Sequence, residues 1–207
     1  MAISYPLSTP TSIGVESIEL RAANSVAVSQ SPFTYKQQVV NHGGQKWSAS
    51  VSIPPLQKEF VEPWVAFLLA LRGQTGTFLL GDPNNTVPRG QAATFPGVPV
   101  VSSVTNGTVS MTGASTSKVG WLKAGDYIQL GSGASSTLHK VLLDVDTNSS
   151  GAATIEIWPY PRASVASGTT IKVADTKGLF RLASNEQSWS IGSSSQYGLQ
   201  FECVEVI

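Results

Sequence analysis

The stretch KWSASVSIPPLQKEFVEPWVAFLLALRGQTGTFLLGDP, residues Lys46 to Pro83, holds a strand, a helix and a second strand in immediate succession. Trp47, Ala49, Val51 and Ile53 alternate with Ser48, Ser50 and Ser52, the period-two pattern of a strand with one buried face. After Pro54-Pro55-Leu56 the period changes. Phe60, Trp64, Phe67, Leu68 and Leu71 recur at three- and four-residue spacing, which predicts a helix over residues 58–72 with one apolar face. Proline is tolerated in the first helical turn, so Pro63 places the regular start near Val61 or Glu62. Gly73 ends the helix, and Thr77-Phe78-Leu79-Leu80 forms a short strand closed by Asp82-Pro83.

Working outward, almost everything else reads as strands separated by small-residue turns. Strands are expected at residues 98–104, 108–112, 126–130, 138–145, 153–158 and 170–173, and again at 178–182, 187–191 and 197–206. Asn106-Gly107 is a two-residue hairpin signal, because both residues tolerate positive φ. Ile18 and Leu20, then Phe33 and Tyr35, are candidate strand positions near the N-terminus. The irregular, Gly- and Pro-rich segment Gly81 to Pro99 suits a crossing between domains, with Val173 to Gly178 as its return. The expectation is therefore a mainly β protein of two domains. Residues 1–85 with 176–207 would form a β-sandwich carrying one packed helix, since neither group of strands can bury its apolar face alone. Residues 86–175 would form an inserted small β-barrel, with enough strands to fold by itself.

The order of Trp47 to Leu56, the helix ending Leu71-Arg72-Gly73, and Gly76-Thr77-Phe78-Leu79-Leu80 resembles the N-terminal domain of the distal tail protein of long-tailed, non-contractile bacteriophages. Lys123-Ala124-Gly125-Asp126-Tyr127 followed by Leu138-His139-Lys140-Val141 is similar to the inserted, OB-like barrel of one branch of that family. The resembling pieces cover about half of the 207 residues. The resemblance implies a structural virion protein of the tail tip: a homohexameric ring that joins the tail tube to the baseplate hub and receptor-binding apparatus. The tail tube, tape-measure and hub proteins would be its partners, and DNA would only pass through the ring channel. Another ring-forming tail protein, a tube or tube-terminator subunit, is the alternative, and a glycan-binding β module is a third reading.

Bulk properties agree with a structural part. A chain of this length buries roughly 70% of its unfolded surface and needs no covalent staple. Cys203 is the one cysteine, so no internal disulfide exists, and its alternation with Leu199 and Phe201 marks a buried strand position. Formal net charge is zero, with six basic and five acidic residues between Pro88 and Asp175, so no bulk field favours nucleic acid or an anionic membrane. The first charge is Glu16, and the longest apolar run, Trp64 to Leu71, is too short to cross a bilayer; synthesis in the host cytoplasm without membrane insertion is expected.

Catalytic and metal constellations are missing from the sequence. There is no G-x-S-x-G elbow, no phosphate loop ending in Lys-Ser/Thr and no H-E-x-x-H helix. Asp144-Val145-Asp146-Thr147-Asn148 begins like a calcium loop, but Ser149 stands where glycine is required and Ile155 where a bidentate Glu is required, so it reads as a polar hairpin end. His42 lies in a turn over residues 41–44 and His139 in a strand, both isolated. Asn106-Gly107-Thr108 and Asn148-Ser149-Ser150 match a glycosylation sequon but read as turns. Trp121, Tyr127, Trp158 and Tyr160 are the aromatics that a sugar- or base-stacking barrel would use, and packing is the simpler role for most of them. No catalytic residue, cofactor or metal is expected.

Overall fold

The computed structural model describes residues 3–10, 14–192 and 196–207. In chain order its elements are β1 (Leu7–Ser8), β2 (Ser17–Gln30), β3 (Gln37–Gln57), α1 (Lys58–Ala70), β4 (Phe78–Leu80), β5 (Val100–Thr105), β6 (Thr108–Thr112), β7 (Tyr127–Leu130), β8 (Thr137–Val141), β9 (Ala153–Trp158), β10 (Ile171–Lys172), β11 (Gly178–Leu182), β12 (Trp189–Ile191) and β13 (Gln196–Glu205). The protein is mainly β, with a single α-helix among the described residues.

The first sheet runs β1-β4-β11-β13-β3-β2, with β12 also paired to β13. Strands from both chain ends thus complete each other: Phe201 lies opposite Val51, and Phe180 opposite Phe78. The serine-alternating residues Trp47, Ala49, Val51 and Ile53 are all buried, together with Leu199, Phe201 and Cys203 of the neighbouring strand. Pro54 and Pro55 fall where the β3–β13 register slips beside Gly198, so neither proline has to donate to the ladder.

Helix α1 covers this face. Trp64 packs on Phe67 and Phe201, and Phe67 on Phe78, with ring centroids 5.4–6.3 Å apart. Two details correct the sequence reading. The helix begins at Lys58, three residues before Val61, because Pro63 and Glu59 both face solvent: the carbonyl that Pro63 leaves without an intrahelical donor belongs to Glu59. Phe60 is 43% exposed, and Val61 and Val65 complete the buried stripe in its place.

The second sheet runs β10-β7-β8-β9-β6-β5, and a bridge between Val100 and Thr170 brings its two edges together, so the sheet nearly closes into a barrel. Asn106 (φ 45°) and Gly107 (φ 84°) form the two-residue turn between β5 and β6, as that dipeptide requires. Val109, Met111, Trp121, Ile128, Ile155 and Ile157 fill the interior. Strand β8 stops at Val141, earlier than expected; Leu142 and Leu143 are exposed, and the chain continues with isolated contacts such as Val145 to Leu122.

The segment read as a crossing is part of the packing. Pro88, Gly90 and Ala92 are buried, the Gln91 and Ala92 amides donate to the Gly120 and Trp121 carbonyls, and a Cβ on Gly90 would fall 2.3 Å from the Trp121 carbonyl oxygen. Irregular backbone that finds its hydrogen bonds one residue at a time leaves no period in the sequence.

The barrel sits directly on the first sheet. The Trp47 indole N–H donates to the Leu138 carbonyl at 2.9 Å, its ring meets Trp158 edge-on at 4.6 Å, and Tyr127 and Leu138 are members of the first sheet's core cluster. The Leu179 amide donates to the Ser136 carbonyl and the Lys177 amide to the Gln129 side-chain oxygen.

Candidate assembly surface

Strands β2 and β3 are far longer than the sheet they belong to. Strand β13 pairs with β3 only as far as Ser48, and beyond Lys46 the two strands continue with no third strand on either side among the described residues. A β-bulge interrupts them: one residue of β2, Ser25, faces three of β3, with Gly43 at φ 71°. His42, expected in a turn, lies in this bulge inside β3. Outward from there the pairs Val28–Val39 and Ala27–Val40 put apolar side chains on both faces, and Val26, Val28, Val39 and Val40 are all exposed.

The arm ends in a compact turn. The Ser31 amide donates to the Lys36 carbonyl, the Tyr35 amide to the Ser31 carbonyl, and the Gln30 side-chain amide to the Tyr35 carbonyl. Phe33 and Tyr35, expected in strands, stand at this tip and are 92% and 74% exposed. Tyr35 adopts φ 54°, an uncommon conformation for a bulky residue, held by those bonds. Charge follows the same division: between Glu19 and Glu59 there is no carboxylate, while Arg21, Lys36, Lys46 and Lys58 are basic. A two-stranded ribbon with two open edges and apolar faces is marginal alone in water and is a template for pairing.

The residues considered for chemistry are held in structural roles. His139 is 1% exposed, one ring nitrogen lies 2.6 Å from the Pro159 carbonyl and the other 2.8 Å from the Thr137 hydroxyl, and burial pushes its pKa down to about 4. Burial pushes the Cys203 thiol up to about 12. Asp144 pairs with Lys123 at 2.8 Å and accepts the Ala124 amide, while Asp146 accepts the Gly120 amide, so this stretch clasps the loop before β7. Asn148 accepts the Ser150 and Ala152 amides, the turn its sequence suggested. Among the described residues no group of three His, Cys, Asp or Glu side chains is placed to hold a metal, and no helix is long and apolar enough to cross a membrane.

Of the barrel aromatics, Trp121 is fully buried with its N–H on the Phe95 carbonyl, Tyr127 is buried under Lys140 at 3.7 Å, and Trp158 donates to the Asn24 side chain. Tyr160 alone is exposed, lying against Gly107. A continuous stacking platform is not formed.

Two features escaped the sequence. Asp126 is fully buried and accepts from the Arg89 amide and guanidinium, at 3.2 and 3.1 Å, and from the Lys123 amide at 2.8 Å; the pairing of Arg89 with Asp126 spans the irregular segment and has no spacing signal. A groove of about 330 Å³ opens beside the helix, walled by Ile18, Val51, Leu80 and Phe201, with Trp64 at its inner side. The Trp64 indole N–H has no acceptor among the described residues. Compared by sequence with protein-family models and with curated proteins, the chain matches none.

Proposed function

We propose that this protein is a ring-forming structural component of a bacteriophage tail tip, a distal tail protein of a long-tailed phage, whose six copies join the tail tube to the baseplate hub and receptor-binding apparatus. The observation that carries the reading is the β2–β3 arm. Residues 26–41 expose valines on two faces, two aromatics at the tip and both ribbon edges, beyond the last strand that pairs with β3. Such a surface is completed by other copies of the chain, and a closed ring joins two different patches head to tail. The Trp47 to Leu80 resemblance then selects the tail tip among ring assemblies. The tail tube, tape-measure and hub proteins are the partners in this reading, DNA passes through the channel, and the role is mechanical, with no catalysis assigned.

The arm also suits a stacked tube or tube-terminator subunit, which uses the same open edges. Electron microscopy of virions labelled on this protein separates the readings. One six-fold ring at the distal end of the tube is the expected result. Labelling along the tube or at its head-proximal end selects the alternative, and a position without six-fold symmetry overturns the ring.

A further inference from the structure

We infer that the β2–β3 arm of one copy seats its aromatic tip in the groove beside Trp64 of the next copy. The inference rests on the self-assembly reading above and names its two complementary patches.

The groove offers what the arm lacks. It has an apolar part formed by Ile18, Val51, Leu80 and Phe201 beside the polar Thr86, Asp82, Asp175 and Lys177, and the Trp64 side chain at its inner side is 1% exposed with no acceptor for its N–H among the described residues. Through Ile18 and Asp82 the groove continues into a second recess that includes Glu16 and Tyr127. Three carboxylates and one lysine line the two recesses. Lys177 already pairs with Asp175, which leaves Glu16 and Asp82 outside every ion pair among the described residues.

The arm supplies the complement: Phe33 as an apolar anchor for that part, and Lys36 close by in a stretch without a single carboxylate. Its tip is held by its own hydrogen bonds before it meets a partner, so little ordering is left to oppose binding. The contact has to be intermolecular. The groove lies at the start of β2, at Ile18, and the tip stands beyond Gln30, roughly 40 Å away along the same extended strand. A tip that cannot reach its own groove meets one on a neighbour, which is a heterologous contact.

The test uses two full-length variants, Phe33→Cys and Asn84→Cys, mixed under mild oxidation; buried Cys203 leaves the new thiols as the reporters. Disulfide-linked pairs of the two different variants are expected, well above those in either variant alone. In parallel, Lys36→Glu should weaken self-association about tenfold, and mixing it with Asp82→Lys should restore it. Assembly observed by mass photometry without mixed disulfides and without charge rescue overturns this contact and leaves the ring standing. If no assembly forms at any concentration, both fall.

Discussion

The two halves of the β2–β3 hairpin are built from the same ribbon and have opposite surroundings. In the inner half, Trp47, Ala49, Val51 and Ile53 are each under 6% exposed, covered by α1 at one end and by the barrel at the other. In the outer half, Val28, Phe33, Tyr35 and Val39 are each more than half exposed. Hydrophobic residues therefore meet two opposite surroundings in one element. The inner apolar groups drive folding within the chain, because each has neighbours from β13, α1 or β8. The outer ones have none, and this exposure is the observation on which the proposed assembly rests.

The inner half can be broken most severely at Trp47. This side chain fills the seam between sheet and barrel, and its N–H satisfies the buried Leu138 carbonyl. Trp47→Ala should cost about 3–5 kcal/mol, with a large fall in melting temperature. The size of the loss also reports whether the two sheets unfold together, since Trp47 belongs to one and touches the other. Separate unfolding transitions in the variant, with the barrel transition unshifted, would show that the seam carries little coupling.

A second, smaller effect follows from His139 on the barrel side of that seam. Its folded pKa of about 4 lies below the ordinary 6.5, because burial disfavours the imidazolium. The unfolded chain then binds the proton more readily, so the stabilisation is present above pH 6.5 and is lost as pH falls toward 4, by about 3 kcal/mol. Glu205 lines the same small cavity with Arg162, and its carboxyl is held above its ordinary range by burial, so it opposes part of this slope: its penalty fades on acidification. Denaturant melts of the wild type and His139→Gln between pH 7 and pH 4 measure the difference. Parallel curves would mean that the imidazole is not buried as described.

How much of this was readable in the sequence divides along the same line. Where residues pack on a regular face, the pattern announced them: the Trp47 to Ile53 alternation, most of the helix stripe, the Asn106-Gly107 turn and Cys203 are where their spacing put them. Where backbone is satisfied irregularly, the pattern failed. Pro88 to Ala92 looked like a connection because its amides bond singly to the Trp121 loop, and Asp126 with Arg89 gives no local signal of a buried pair. The arm was missed for a different reason. Residues 37–43 have no buried face, so period-two alternation is not imposed on them, and Phe33 and Tyr35 read as strand residues although they form a turn. The groove is assembled from β2, β3, α1, β4 and β13, and only the folded arrangement brings those residues together.

The weakest effect on stability, and the sharpest on assembly, is expected at the arm itself. Phe33→Ser and Val39→Ser remove apolar groups that touch little in the isolated chain, so each should change unfolding free energy by no more than about 0.5 kcal/mol. Replacing them with a polar residue of good strand or turn propensity leaves the ribbon hydrogen bonds in place, which keeps the change confined to the exposed surface. Self-association should nevertheless fall, because the truncated groups are those a neighbouring copy would bury. Thermal melts and mass photometry on the same samples give both numbers. A variant that melts several degrees lower would show that the arm packs within its own subunit, and the contrast between the two halves of the hairpin would be lost; a variant that melts normally and still assembles at wild-type concentration would place the ring contacts elsewhere on the sheet.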